Sequence, residues 1–519
     1  MDKKSSIVRS ASVIVAATFA SRVLGFIRDM VIAKFFGATS LSDAFFVAFR
    51  IPNLMRDLFA EGAMSAALIP VLSEYRIKHG EEETIKLVRI VFVFLIIFVG
   101  GLCITGIIFA PVIVKIIAPG FTLDPFKFQI TVLLTRIMFP FLIFVSFAAL
   151  IMGALNARKV FFIPTLASAW FNLGIIVTIL ILYPFFEQPV VVAAIGVSVG
   201  GVAQFVWQIP VFIKGGYSLK PLFNFRHPAL KKMGLLLIPA TMGMGVNQLN
   251  IFISTMLASY LDVGSIAYLY YAMRLIQFPI GIFGVALSTA VLPTLSEHAA
   301  KNDIASIKHD LSFSLKLLFA ITIPSMIGLM MLGEPIIHVL FQRGKFDYAA
   351  TQNTAIALLY YSCGIWAIVG ARMLTSAFYS MQDTKTPVKI TAVSLIINLF
   401  FSIMLIEPFG FGGLAMANAI SATINFFMLL FYLYRNLNGF DLKGVIISFI
   451  KTMAASIVMG AGGWVLINQI PWIENGNMLF KGGYLLITMS MCSMIYFGSA
   501  YVFKSDEIKY IITLIRKRI

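Results

Sequence analysis

Seven arginines, Arg22, Arg28, Arg50, Arg56, Arg136, Arg274 and Arg372, fall within or beside long apolar runs. An ionised side chain at the centre of a bilayer costs about 2.5–3.5 kcal/mol on insertion scales, so each needs a partner, a wet cavity or an anionic ligand. The acids that could neutralise them, Asp29, Asp43, Asp57 and Glu61, all belong to the first two runs. Arg22 and Asp29 are seven residues apart and share a helix face, which allows an ion pair, while Arg28 projects elsewhere. Asp43, Arg50 and Asp57 repeat that spacing, with Arg56 and Glu61 on other sides. Arg274 follows Tyr268, Tyr270 and Tyr271 and has no acid in its own run. The surplus of guanidinium marks Arg22, Arg28, Arg56 and Arg274 as cavity-lining. Arg50, Arg136 and Arg372 suit pairing between helices or reach to the interface. A planar guanidinium grips a phosphate or diphosphate in a bidentate way, so that is the ligand class this set favours.

The elements that must carry these arginines are membrane-spanning helices. Of 519 residues, 60% are hydrophobic and 12% charged, and mean hydropathy is +0.93. Soluble domains run to about 45–50% apolar and about 25% charged, so a soluble enzyme and a disordered chain are both excluded. The apolar runs are long and do not alternate, which excludes an outer-membrane barrel. About fourteen spans are expected, near 10–36, 43–70, 87–117, 128–155, 162–184, 190–214, 231–261, 264–296, 311–333, 351–381, 386–407, 411–434, 443–468 and 478–503. Lys3, Lys4 and Arg9 before the first run resemble a signal peptide, but the apolar character continues to Phe36, which reads as an uncleaved first span. With both termini cytoplasmic, about 27 Lys and Arg lie inside, including Arg516, Lys517 and Arg518, against about six outside, among them Lys127, Arg343 and Lys345. That bias accounts for most of the +17 net charge without nucleic acid.

A repeat runs at an offset of 223 residues. Ala67-Leu-Ile-Pro-Val-Leu-Ser-Glu74 recurs as Ala290-Val-Leu-Pro-Thr-Leu-Ser-Glu297, and Pro164 meets Pro387. Two equivalent six-helix lobes in parallel orientation are expected, with the usual site between them. The expected divisions are an N-lobe at 1–225, a C-lobe at 226–437, and spans 13–14 with a basic cytoplasmic tail at 438–519.

The sequence has no GxxxxGK[ST] loop and no HExxH. Cys103, Cys363 and Cys492 form no close pair, and the five histidines read as loop residues. Asn172, Asn247, Gln248, Asn250, Asn398 and Asn418 suit hydrogen bonds between helices. The apolar last two spans suit either a groove for a long acyl or prenyl tail or a lipid-facing scaffold.

Ser21-Arg-Val-Leu-Gly-Phe-Ile-Arg-Asp29, Asp43-Ala-Phe-Phe, Arg56 with Phe59-Ala-Glu-Gly-Ala-Met-Ser65, Gly264-Ser-Ile-Ala-Tyr-Leu-Tyr-Tyr-Ala-Met-Arg274 and Asp383-Thr-Lys-Thr-Pro387 together resemble the MurJ (MviN) family of lipid II flippases. That family belongs to the multidrug/oligosaccharidyl-lipid/polysaccharide exporter superfamily. The resemblance implies an all-α polytopic protein of about 14 transmembrane helices. It has two six-helix lobes related by pseudo-two-fold symmetry and two extra C-terminal helices that form the groove for the lipid tail. It implies export of undecaprenyl diphosphate carrying a disaccharide-pentapeptide, with Arg22, Arg28, Arg56 and Arg274 as cavity arginines and Asp29, Asp43 and Glu61 as matched acids. Two departures stand out. Asp57 occupies the place of a second adjacent arginine in some relatives. Ser254 and Ser402 stand where some members carry sodium-binding carboxylates, which argues against sodium coupling of that kind.

The expected function is therefore non-enzymatic transport of lipid II by alternating access, in the bacterial cytoplasmic (inner) membrane, with no cofactor and no metal. Expected partners are lipid II, membrane lipids and cell-wall synthesis or division proteins, and no nucleic acid. Three alternatives stay open: export of another undecaprenyl-linked saccharide, cation-coupled drug export, and a non-transporting scaffold for cell-wall enzymes.

Overall fold

In lipid every backbone N–H must find its acceptor inside its own segment, so apolar runs of this length become helices. The computed structural model describes residues 3–56, 63–472 and 477–509, and among them there are helices and no strand. Asp57, Glu61 and the basic tail residues Arg516, Lys517 and Arg518 lie outside the described residues. The chain divides into two compact units, Met1–Gly264 and Ser265–Ile519.

The first unit begins with α1 (Lys3–Phe36), α2 (Ser40–Met55), α3 (Ala63–Lys78) and α4 (Gly80–Ile108). It continues with α5 (Ala110–Ile117), α6 (Pro125–Met138), α7 (Phe141–Ala157) and α8 (Phe162–Leu182), and ends with α9 (Val190–Val206), α10 (Ile209–Lys214) and α11 (Pro228–Ala258). α1 turns into α2 through Gly37, whose φ of 63° is cheap only for glycine. Thr39 and Ser42 then form a reciprocal cap at the start of α2. α8 packs against both α1 and α9, and α11 packs on α3.

The second unit holds α12 (Ser265–Pro279), α13 (Val285–Ala300), α14 (Ile304–Phe341), α15 (Tyr348–Ser362) and α16 (Ile365–Ser380). α17 (Lys385–Asn436), α18 (Leu442–Ile467) and α19 (Met478–Val502) follow. A π turn over Ile280–Gly284 separates α12 from α13. α17 is two helices joined at Gly410, where φ is 54°. α18 and α19 pack against each other and on α14. Ala455, Met459, Cys492, Tyr496 and Ala500 form one cluster there, and Tyr496 Oη donates to the Ala320 carbonyl at 2.6 Å. Leu479, Leu486, Ile487 and Met494 face outward, as suits a surface solvated by lipid tails.

Among the described residues nine helices or helix runs are long and apolar enough to cross a membrane, and the bent pair α15–α16, at 41°, makes ten. Division of α17 at Gly410 adds another. The other expected spans correspond to α1, to α2 with α3, and to α11. The protein is an all-α, multi-pass membrane protein.

The repeat is visible in the starts of the helices. α6 begins at Pro125 and α15 at Tyr348, 223 residues on. Each is capped by an aspartate at the same offset: Asp124 accepts the Lys127 N–H, and Asp347 accepts the Ala350 N–H. α8 begins at Phe162 and α17 at Lys385, again 223 residues apart.

Candidate functional site

α1 carries the first two candidate arginines, and the structure separates their roles. Asp29, fully buried, pairs with its neighbour Arg28: Nη2 is 2.7 Å and Nε 3.0 Å from Asp29 Oδ1. Arg28 Nη1 donates to Asn172 Oδ1 on α8 at 3.1 Å. Asn172 Nδ2 in turn donates to the carbonyls of Ser21 and Ser168. Asn172 therefore clasps α1 to α8 and turns the Arg28 guanidinium with Asp29. The expected Arg22–Asp29 pair does not form. Residues seven apart share a face but stand about 10.5 Å apart along the axis, whereas the long Arg28 side chain folds back on its neighbour.

Arg22 is exposed. Among the described residues its side chain has no ion pair or hydrogen bond. It lines a cavity of about 310 Å³ inside the first unit. Thr18 and Ser21 of α1, Ser168 of α8, and Gln204 and Gln208 supply the polar wall, while Val145, Ala148, Ala149 and Met152 of α7 supply the apolar one. Guanidinium, hydroxyl and amide groups thus converge on one hollow with a greasy side.

Asp43 is also engaged. Its Oδ2 accepts from Lys127 Nζ at 3.0 Å and from the Gly264 N–H at 2.8 Å. Lys127, expected in an outer loop, is 6% exposed and stands over the Phe121 ring at 4.2 Å. The loop placement of Lys127 is thereby corrected, because a lysine in the first turn of a helix with a carboxylate opposite it has somewhere to go. Arg56 caps the end of α2 and is half-buried. Glu61 lies outside the described residues.

In the second unit Arg274 is half-buried on α12, with Nη1 3.4 Å from Gln277 Oε1 about one turn on. Lys481 of α19 is a second buried lysine, 3.1 Å from His338 Nε2. His338, read as a loop residue, is fully buried within α14 and also bonds Gln342 Oε1 at 2.7 Å. Among the described residues, the side-chain oxygens of Asn398 and of fully buried Ser402 find no hydrogen-bond partner. Among the described residues no three His, Cys, Asp or Glu side chains converge to hold a metal.

The family model for the lipid II flippase MurJ matches residues 32–479. The chain belongs to that family. A probable lipid II flippase MurJ of Vibrio cholerae serotype O1 is 35% identical over 485 residues, 91% of each chain. A lipid II flippase MurJ of Burkholderia cenocepacia is 34% identical, over 93% of this chain and 95% of its own. A solved lipid II flippase MurJ in an inward closed conformation superposes with a TM-score of 0.79 at 28% identity, covering 95% of this chain and 99% of the other. An inward-facing multidrug transporter of the MATE family shares the fold, with a TM-score of 0.67 at 12% identity, covering 82% of this chain and 98% of its own. The family is named for transport, not for catalysis.

Sequence reasoning missed Lys127, Lys481, Gln204 and Gln208. The signal for Lys127 was Asp124 beside it, a helix cap that places the lysine inside the first turn of α6. Gln208 had no such signal, because its importance comes only from packing at the junction of α9 and α10.

Proposed function

We propose that the chain translocates lipid II from the cytoplasmic to the outer leaflet of the bacterial cytoplasmic membrane by alternating access. Arg22, Arg28, Arg56 and Arg274 bind its diphosphate, and Asp29, Asp43 and Glu61 set the charge balance around them. Family membership supports the transport class. The observation that carries the site is Arg22, an exposed guanidinium beside a cavity, without a carboxylate among the described residues. Asp29 is taken by Arg28 and Asp43 by Lys127, so neither is spent on Arg22. A free guanidinium recruits an anion of matching planarity. An organic cation would be repelled there, which argues against drug export.

In this reading residues 1–225 and 226–437 act as the two lobes. The outward apolar faces of α18 and α19, within 438–519, hold the undecaprenyl tail. Both termini are cytoplasmic, as the distribution of Lys and Arg favours. Lipid and cell-wall proteins are its surroundings, and the chain works without a cofactor.

The test is reconstitution of the purified protein into vesicles with labelled lipid II and measurement of its exposure on the opposite leaflet. The parent chain exposes lipid II, and Arg22→Ala and Arg274→Ala lower the rate at least tenfold. Wild-type rates in both variants refute the arginine site. No exposure by the parent chain refutes transport itself.

A further inference from the structure

Pro111 leaves a gap in the hydrogen-bond ladder where α4 gives way to α5. The Ile107 carbonyl would accept from the backbone N–H four residues on, and proline has none. Arg136 of α6 fills the gap: its Nε donates to the Ile107 oxygen at 3.2 Å. That bond fixes the plane of the guanidinium. It leaves Nη1 and Nη2, with four N–H donors, without a partner among the described residues. Arg136 is exposed, and so are Ile104 and Ile108 of α4 and Leu133, about one turn before it on α6. The guanidinium therefore stands in an apolar outer face of the first unit. It is distinct from the cavity beside Arg22, whose lining includes neither α4 nor α6.

Depth decides what this guanidinium can meet. α6 and α7 make one span, Pro125–Ala157, and just past its end Arg158 bonds Glu81 of α4. Arg136 lies 22 residues from Arg158, about 33 Å along a helix axis, while the hydrocarbon core is about 30 Å thick. Side chains lean toward a helix N-terminus, so that of Arg136 leans further from Arg158. With the Arg158–Glu81 pair at one interface, the Arg136 guanidinium reaches the headgroup level of the opposite leaflet, the outer one in the orientation proposed above. An arginine keeps its charge, and a charge on an apolar face needs an anion. At that level, beside acyl chains, the anion is a phosphodiester. We propose that Arg136 is the centre of a binding site for a glycerophospholipid. The two Nη groups grip its phosphate in a bidentate way, and its acyl chains lie on Ile104, Ile108 and Leu133. An anionic headgroup such as phosphatidylglycerol fits best, because a zwitterionic one brings a cation of its own beside the guanidinium. The site does not depend on the flippase reading.

The test places the full chain in phosphatidylcholine nanodiscs doped, below saturation, with phosphatidylglycerol that carries a photo-activated diazirine on an acyl chain near the glycerol. Labelled peptides are mapped by mass spectrometry. The parent chain takes label on 104–112 and 129–136. Arg136→Gln removes the charge, and labelling there falls about tenfold, the size of a hydrogen bond to a charged group, while labelling elsewhere is unchanged. Leu133→Glu sets a carboxylate one turn away that pairs with Arg136 and repels the phosphate. It gives the same fall and decides the question if Arg136→Gln does not yield folded protein. Diacylglycerol with the same diazirine, which lacks the phosphate, labels parent and variants alike. Equal labelling by phosphatidylglycerol in parent and folded variants overturns the proposal, and so does diacylglycerol that shows the same fall. Displacement of the phosphatidylglycerol label by millimolar inorganic phosphate assigns Arg136 to a free anion and overturns the lipid. Lipid II takes no part in the experiment, so failure here leaves the transport reading untouched.

Discussion

Lys127 and Asp43, from α6 and α2, form an ion pair of 3.0 Å with side chains 7% and 1% exposed. Such a pair is held by mutual need. Removal of one partner strands a buried charge and costs about 3–5 kcal/mol, while replacement of both by neutral residues of similar size is close to neutral. Asp43→Asn leaves the buried Lys127 ammonium without its carboxylate and should destabilise the protein by that amount, Lys127→Met should cost less because Asp43 keeps the Gly264 N–H, and the double variant should recover most of the loss. Denaturant titration in detergent, monitored by tryptophan fluorescence, measures all three. Additive losses in the double variant would show that the pair does not act as a unit.

Arg22 and Arg28 are both expected at the diphosphate, but the structure gives them different stability effects. Arg22 has no partner among the described residues. Arg22→Ala should change folding stability by less than about 0.5 kcal/mol, as surface substitutions do, while transport is lost. Arg28→Ala breaks the buried ion pair with Asp29 and the bond to Asn172, and breaking a buried pair costs about 3–5 kcal/mol, in addition to its effect on transport. Paired measurements of lipid II exposure and unfolding in the same two variants check this. Equal destabilisation by both variants would place Arg22 in a structural role.

The helical, multi-pass fold was legible because lipid leaves the backbone few options, and the repeat was legible because Ala67–Glu74 and Ala290–Glu297 preserve the same pattern. Side-chain partners were less so. Helix periodicity identifies which residues share a face but not which can touch, so Arg22 was matched to Asp29 while adjacent Arg28 took it. Counting positive charges by loop treats Lys127 as a loop residue and misses its burial against Asp43, 84 residues away in sequence. His338 looked like a loop residue because α14 extends from Ile304 to Phe341, well past the expected 311–333 run. The cavity of Gln208 and Ser168 requires three-dimensional packing of α1, α7, α8 and α9 and left no trace in one sequence.

Gly120 marks a close approach in the first unit. Its N–H donates to Ser259 Oγ at 3.0 Å, and a Cβ there would lie 2.3 Å from the Ser259 carbonyl oxygen. The obstacle is backbone, which cannot rotate away. Gly120→Ala should therefore force the end of α11 outward and destabilise by about 1–3 kcal/mol, the range for overpacking. Thermal unfolding of purified protein checks it, with Gly100→Ala as a comparison, since nothing lies within 4 Å of a Cβ at that position. Equal midpoints for the two variants would deny the tight contact.

Glu74, beyond the apolar run of the second span, joins α3 to α11. Its carboxylate accepts from Lys78 at 2.9 Å and from Lys232 of α11 through its other oxygen. The hydrogen bond from Lys232, followed by that from Lys78, lowers its pKa from the usual 4.5 to about 2. A carboxylate with a lowered folded-state pKa adds stability that is complete above the unfolded value and is lost as the pH falls toward the folded one. Glu74→Gln should lower the thermal midpoint by an amount that stays constant from pH 8 to pH 5. The gap to the parent chain should narrow below about 4.5 and close near pH 2. The site is open to solvent, so salt should shrink the gap at every pH. Fluorescence-monitored melts of both proteins across this range provide the measurement. A gap already closed at pH 5 would mean that the two lysines do not hold Glu74 ionised, and a gap unaffected by salt would mean that its contribution is not electrostatic.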